Sequence, residues 1–220
     1  MKKFIFIIAP ICICCTKPGE QNTNAPVDTP LSKLSPSAGP SAERKPTAPT
    51  TTTFKTYSIQ AGAHNCDQSA LKSVSGTAMN FTVKFNNTAI YPAVITDYNH
   101  AYDVNKLYGF SEGFNNQYNS ARIGWRWLDG QLQLFAYVYV KGTLLRDPIS
   151  YDPPFIKSVS IDSEINCSIK VSGSNYIFTV DGVVVTTPRG TTSGTYSGYQ
   201  QYPYFGGTLT APHLINIYIK

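Results

Sequence analysis

The chain is poor in charge and concentrates neither sign. It carries 18 Lys and Arg against 13 Asp and Glu, and charged residues make up 14% of it. From residue 54 onward, twelve basic side chains face ten acidic ones. That balance is too even for the phosphate contacts that dominate nucleic-acid affinity, so nucleic acid is set aside as a partner. Cysteine is scarce as well. Three of the five cysteines, Cys12, Cys14 and Cys15, crowd into the first fifteen residues, leaving only Cys66 and Cys167. In an oxidising compartment these two can form a disulfide, or they can remain buried thiols in apolar positions; the alternation around Cys167 fits either state. Neither has the context of a nucleophile, since His64 lies two residues from Cys66 with no third group to orient it. Long apolar runs are missing, and the longest, within residues 1–15, is too short to span a bilayer. Helical periodicity is almost absent.

Residues 1–15, MKKFIFIIAPICICC, combine two lysines, a short apolar run and the cysteine cluster. This is the layout of a secretory signal peptide, and it resembles bacterial lipoprotein signals, in which a lipid-modified Cys follows a small residue. Cys15 is the predicted lipidation site because a polar segment starts directly after it; Cys12 and Cys14 are the alternatives. Several acyl chains on one Cys would hold the protein firmly to a membrane, placing it in a bacterial cell envelope, periplasmic or at the surface. Residues 16–53 hold seven prolines, many Ser and Thr, and no aromatic residue. Such a segment cannot bury enough apolar surface to fold and reads as a disordered tether. In an extended proline-rich conformation it would reach roughly 100 Å.

Composition changes sharply at Phe54. Apart from Phe4 and Phe6, every aromatic residue lies from there onward, and residues 54–220 suffice for one domain with a substantial core. Its centre is the stretch SARIGWRWLDGQLQLFAYVYV, residues 120–140. Two alternating runs flank Asp129-Gly130, a dipeptide suited to a two-residue type I′ turn, so a hairpin is predicted. With Leu128 opposite Gln131, Trp127 faces Leu132, Trp125 faces Leu134 and Ile123 faces Ala136, making one apolar core face. The other face carries Arg122, Arg126, Gln131, Gln133, Phe135, Tyr137 and Tyr139, with Gly124 opposite Phe135. Aromatic rings suit stacking on sugars, and amides and guanidinium groups suit hydrogen bonding to hydroxyls, so these seven residues are the predicted ligand-binding set. A second aromatic group, Tyr196, Tyr199, Tyr202, Tyr204 and Phe205, is read either as one end of a groove or as cover for a sheet edge.

Further short runs rich in β-branched and aromatic residues lie at 54–60, 78–85, 89–96, 106–110, 155–161, 165–171, 175–180, 183–187, 199–205 and 213–219, separated by Gly, Asn, Asp or Pro. About twelve strands with turn signals at short intervals predict an all-β fold, a two-sheet antiparallel β-sandwich of jelly-roll type. Pro92 marks its run as an edge strand or a bulge.

In residues 165–187, Ile169, Val171, Tyr176, Phe178, Val180, Asp181 and Gly182 form an alternating strand, a turn, and an aromatic-rich strand that ends in Asp-Gly. This arrangement is similar to the corresponding part of concanavalin A-like and laminin G-like sandwiches. The closing stretch TYSGYQQYPYFGGTLTAPH resembles their final strand pair, and SARIGWRWLDG with YPYFGG resembles envelope lipoproteins of this class. The resemblance implies the fold; function stays open, because the fold hosts lectins, glycoside hydrolases, polysaccharide lyases and adhesion modules.

Glycoside hydrolysis needs two carboxylates about 5 to 9.5 Å apart. The Glu-x-Asp-x-Glu string of the laminarinase-like branch does not occur, and Asp162 with Glu164 reads as a solvated turn. The alginate-lyase branch uses Arg, Gln, His and Tyr on one sheet, but its Arg-x-Glu-x-Arg and Gln-x-His strings are missing too. In residues 96–106, Asp97, Asn99 and Asp103, with Asn105 nearby, offer oxygen donors for Ca²⁺ without EF-hand spacing; Asn and Asp equally suit a tight loop. The reading is therefore a lipid-anchored, lectin-like carbohydrate-binding module with no assigned catalytic residue. Its expected partners are a polysaccharide or other glycan and, through the anchor, a membrane. A polysaccharide lyase or glycoside hydrolase is the first alternative, and a structural or adhesive lipoprotein that binds protein is the second.

Overall fold

The computed structural model describes residues 53–92 and 103–220. The leader with Cys15, nearly all of the tether, and Asp97 and Asn99 lie outside the described residues. Thirteen strands follow in chain order: β1 Lys55–Ile59, β2 Ser73–Gly76, β3 Ala78–Phe85, β4 Asn105–Ser111, β5 Ser120–Leu128, β6 Gln131–Val140, β7 Thr143–Leu144, β8 Phe155–Val159, β9 Ile165–Ser172, β10 Asn175–Val180, β11 Val183–Pro188, β12 Tyr196–Gln201 and β13 Ile215–Ile219. They form two sheets, one in the order β1-β13-β3-β9-β10-β11, the other β2-β12-β4-β5-β6-β7 with β8 also paired to β6. The strand pairs are antiparallel, and the sheets enclose one main core, so the protein is an all-β sandwich.

The β5–β6 hairpin has the predicted register, from Leu128 opposite Gln131 to Ser120 opposite Tyr139. Asp129 and Gly130 turn it with φ of 53° and 73°, the positive pair that a type I′ turn requires. Ile123, Trp125, Leu132, Leu134 and Ala136 are fully buried, while Trp127 is only partly so. Around Trp125 gather Phe85 (ring centroids 5.2 Å apart), Tyr91 (5.9 Å) and Phe205 (6.2 Å), which join the two sheets by edge and tilted contacts.

Two local expectations are corrected, and one open alternative is decided. The run at 89–96 does not start as a strand: Asn86 accepts hydrogen bonds from the Thr88 amide (3.1 Å) and hydroxyl (2.6 Å), and this cap starts a 3-10 turn at Asn87–Ala89. The strand expected at 199–205 is shifted to Tyr196–Gln201, since Pro203 cannot donate to a ladder; Tyr204 then resumes pairing as an isolated bridge to Lys106. Cys66 and Cys167 are both buried and free, so they form no disulfide.

One irregularity positions the site. The free edge of β6 pairs with β7 at Tyr139 and Val140, and with β8 from Leu132 to Phe135. Between these strands, residues 145–154 leave the sheet as a flap. Its ends are held by Leu145 N donating to Val138 O (2.9 Å) and Ala136 N donating to Pro154 O (2.8 Å). Its tip is folded on itself: Asp147 Oδ1 accepts from the amides of Ile149 and Ser150, both at 2.9 Å. These bonds hold the Asp147 carboxyl below its usual range.

Candidate functional site

The outward face of the second sheet is less open than alternation alone implies. Along β5 every residue from Ser120 to Arg126 is buried, so this strand is covered on both faces. Val104, Phe135 and Tyr137 form a second small apolar cluster on the outward side, joined by Tyr139 and Leu144. Gly124 makes that packing feasible, because a Cβ there would meet Val104 Cγ1 at 2.6 Å and Tyr137 Cβ at 3.3 Å.

The seven predicted ligand residues divide into two groups. Four are engaged within the chain. Arg126 donates to both carboxylate oxygens of Asp152 on the flap (2.9 and 2.7 Å) and, through Nε, to Gln133 Oε1 (2.8 Å). Its guanidinium also lies 4.8 Å from the Phe135 ring centroid. Phe135 is covered on another side by Phe155, with centroids 5.6 Å apart. Gln131, at the exposed hairpin end, accepts from Ser158 Oγ (2.8 Å). Arg122, Tyr137 and Tyr139 make up the other group: Arg122 Cζ lies 5.2 Å from the Tyr137 centroid, and Tyr137 meets Tyr139 edge-on at 5.9 Å.

Sequence reading missed Lys106. It sits on the outward face of β4 opposite Gly124, donates from Nζ to Gly206 O (2.6 Å), and lies 5.1 Å from the Tyr137 centroid and 5.6 Å from that of Tyr204. Burial, with Arg122 and Arg146 acting in the same direction against Asp103, brings its pKa down to about 8. Arg122 is likewise lowered by burial, and Tyr137 is raised mainly by the same cause. The signal available in sequence was a lysine at an outward position of an otherwise apolar and aromatic strand.

Two clefts on this face are lined by residues of the predicted ligand set. The larger, about 850 Å³, lies between the flap and the sheet, with Asp103, Tyr137, Arg146, Tyr151 and Asp152 among its lining. The smaller, about 280 Å³, is lined by Arg122, Tyr199, Gln201, Tyr204, Asn116 and Phe114, among others. Phe114, 80% exposed, lies 4.4 Å from Tyr199 between ring centroids and forms an aromatic rim. The second aromatic group is thus split. Tyr199 and Tyr204 line the cleft, Tyr204 being stacked on His64 at 5.1 Å. Tyr196 stacks on Phe110 and Phe205 packs against Tyr91 in the core, while Tyr202 packs on Tyr57 and Tyr108 and also borders the smaller cleft.

Of the calcium donors, Asp103 lies beside Lys106, and Asn105 is committed to Tyr91 OH (2.9 Å) and to the Gly206 amide (2.5 Å). Among the described residues no three His, Cys, Asp or Glu gather as a metal site. Asp162 and Glu164 lie exposed at a turn after β8, and Glu164 pairs with Lys220 (2.9 Å). A depression of about 460 Å³ on the other sheet has its charges paired, Lys220 with Glu164 and Asp181 with Lys157.

No family model matches the chain, and no curated protein matches it in sequence. Among solved structures, the chain is similar to the carbohydrate-binding module CBM66 of Bacillus subtilis (7% identity, 77% of this chain and 93% of that one, TM-score 0.34). It is also similar to the alginate lyase AlyC3 (9% identity, 76% and 72%, TM-score 0.42) and to the Scytalido-glutamic peptidase (14% identity, 77% and 65%, TM-score 0.29).

Proposed function

We propose that the outward face of the second sheet binds a polysaccharide without cleaving it. The observation that carries this reading is that the two clefts border adjacent positions of one sheet face. Arg122, which lines the smaller, and Tyr137, which lines the larger, are cross-strand partners on β5 and β6. A chain laid across β12, β4, β5 and β6 passes from one cleft to the other over roughly 15 Å at ordinary strand spacing, a polymer's dimension. Exposed rings at Phe114 and Tyr151 stand at its two ends, while the amides of Asn116 and Gln201 and the guanidinium of Arg122 offer hydrogen bonds between them. The test is affinity electrophoresis of the full chain in gels containing individual polysaccharides. Retardation that falls in Phe114→Ala and Tyr199→Ala, at unchanged melting temperature, supports the reading. Unretarded migration in every gel removes it.

A second reading, a polysaccharide lyase, is favoured by Lys106. An amine whose pKa is brought down to about 8 beside Arg122 and Tyr137 suits proton abstraction at mildly alkaline pH. Unsaturated products, followed by their ultraviolet absorbance and lost in Lys106→Met, would replace binding by catalysis.

Lipid anchoring in a bacterial envelope belongs to the same proposal and rests on the sequence pattern of residues 1–15. Metabolic labelling with an alkyne fatty acid tests it. Label that disappears in Cys15→Ser supports the anchor at Cys15, whereas label retained in that variant moves it to Cys12 or Cys14.

A further inference from the structure

Three arginines of the domain are buried, and they differ in what they meet. Arg189 is saturated: Nε and Nη2 grip the two Glu112 oxygens (2.8 and 2.6 Å), Nη2 also reaches Thr195 O (2.8 Å), and Nη1 reaches Gly173 O (3.2 Å) and Ser193 O. Arg126 has Asp152. Arg122 is 6% exposed and makes no ion pair among the described residues, and its Nε is a buried donor without a protein acceptor.

Burying an unpaired guanidinium is unfavourable, and the Tyr137 ring offsets only part of that. A second cation makes matters worse. Lys106 lies 5.1 Å from the centroid of the same Tyr137 ring, so two cations share one aromatic side chain. Arg146 adds positive charge nearby, and Asp103 is the acidic group that opposes it. Arg122 lines the smaller cleft, so part of its side chain borders a space that a ligand can enter.

Resting on the glycan reading above, we infer that the sugar bound over Arg122 carries an anionic group, a uronate carboxylate or a sulfate ester. That group accepts charge-assisted hydrogen bonds from the Arg122 guanidinium while Lys106 supplies a second positive charge. A planar guanidinium fork matches an oxyanion in geometry as well as charge, which a neutral hydroxyl does not. The arrangement sacrifices stability in the free protein to strengthen binding, because the anion completes a pairing that the fold leaves open.

The test compares paired probes on the full-length protein in detergent: polygalacturonate against its methyl ester, and dextran sulfate against dextran. Titration calorimetry is expected to show one charged polymer binding roughly 10–100-fold more tightly than its uncharged partner, the range of a charged hydrogen bond. Which pair discriminates tells carboxylate from sulfate. Arg122→Met is expected to abolish that discrimination and to raise the melting temperature of the ligand-free protein by a few degrees; Lys106→Met, a second and independent variant, should weaken the charged polymer alone. Equal affinity for charged and uncharged partners overturns the anionic subsite and leaves glycan binding standing. Failure to bind any of the four overturns both. A lower melting temperature with discrimination intact in Arg122→Met makes the arginine structural and overturns the inference as well.

Discussion

Arg122 and Tyr137 oppose each other on adjacent strands, with the guanidinium carbon 5.2 Å from the ring centroid, and each lines one of two clefts on the outward sheet face. Both side chains are nearly inaccessible, at 6% and 5% exposed. Any contact they make with a ligand therefore comes through the few atoms left at the cleft floor, and the exposed rims must supply most of the contact area.

Asp152 ties the flap to the sheet through both oxygens of a partly buried pair, with side-chain exposures of 8% for Arg126 and 17% for Asp152. Asp152→Asn should lower stability by about 2 kcal/mol, the scale of charged hydrogen bonds lost with the arginine left in place. Hydrogen exchange should accelerate at residues 146–153 before it does in β5. Uniform acceleration throughout the sandwich would show that the flap is held by its backbone ends alone.

Lys106 makes stability depend on pH in an unusual direction. Its folded pKa, about 8, is below its unfolded value of 10.5, so protonation favours the unfolded chain. The destabilisation is fully present below pH 8 and fades as pH rises from 8 to 10.5, a total on the order of 3 kcal/mol. Denaturant melts of the wild type and Lys106→Met should converge across that window. Parallel curves would place the amine in water.

Gly124→Val should lower the melting temperature, since its side chain enters the volume held by Val104 and Tyr137. Overpacking of this kind costs about 1–3 kcal/mol. The companion Gly130→Ala should be milder, because nothing lies within 4 Å of the Cβ position and only the positive φ of 73° is strained.

Burial raises the pKa of both Cys66 and Cys167. Neither should react with a thiol reagent in the native protein at neutral pH, and both should do so in denaturant. Reductant should leave the melting temperature unchanged. A drop on reduction would demonstrate the disulfide that the structure lacks.

The hairpin was legible in sequence because its two runs alternate strictly around Asp129-Gly130, and a period of two leaves one register that buries Trp125 and Ile123 together. What alternation does not disclose is the cover on the other face. Phe135 reads as an outward ring, but Phe155 from the next strand and the Arg126 guanidinium close over it, and both contacts depend on a flap whose Pro and Asp residues mark a loop without showing where it folds. For the same reason Arg126 and Arg122, four residues apart on one face, look alike in sequence and differ in the fold: one meets Asp152 and the other meets no acid among the described residues. Strands β2 and β7 escaped notice because SVSG and Thr-Leu are too short and too polar to show a period; edge pairing with β12 and β6 defines them. Asn86 overrode the apolar run after it by capping a turn.

The flap joins the sandwich at the broken edge of β6, where a few backbone bonds at either end and the Asp152–Arg126 pair secure it, yet it lines much of the larger cleft. Residues 146–151 can therefore be exchanged for a segment of different length or chemistry, as long as an acid stays in reach of Arg126, without disturbing the register of β5 with β6 or the packing around Trp125. Relatives of this chain should differ most along this flap, so the wall of the larger cleft can change while the sandwich stays as it is.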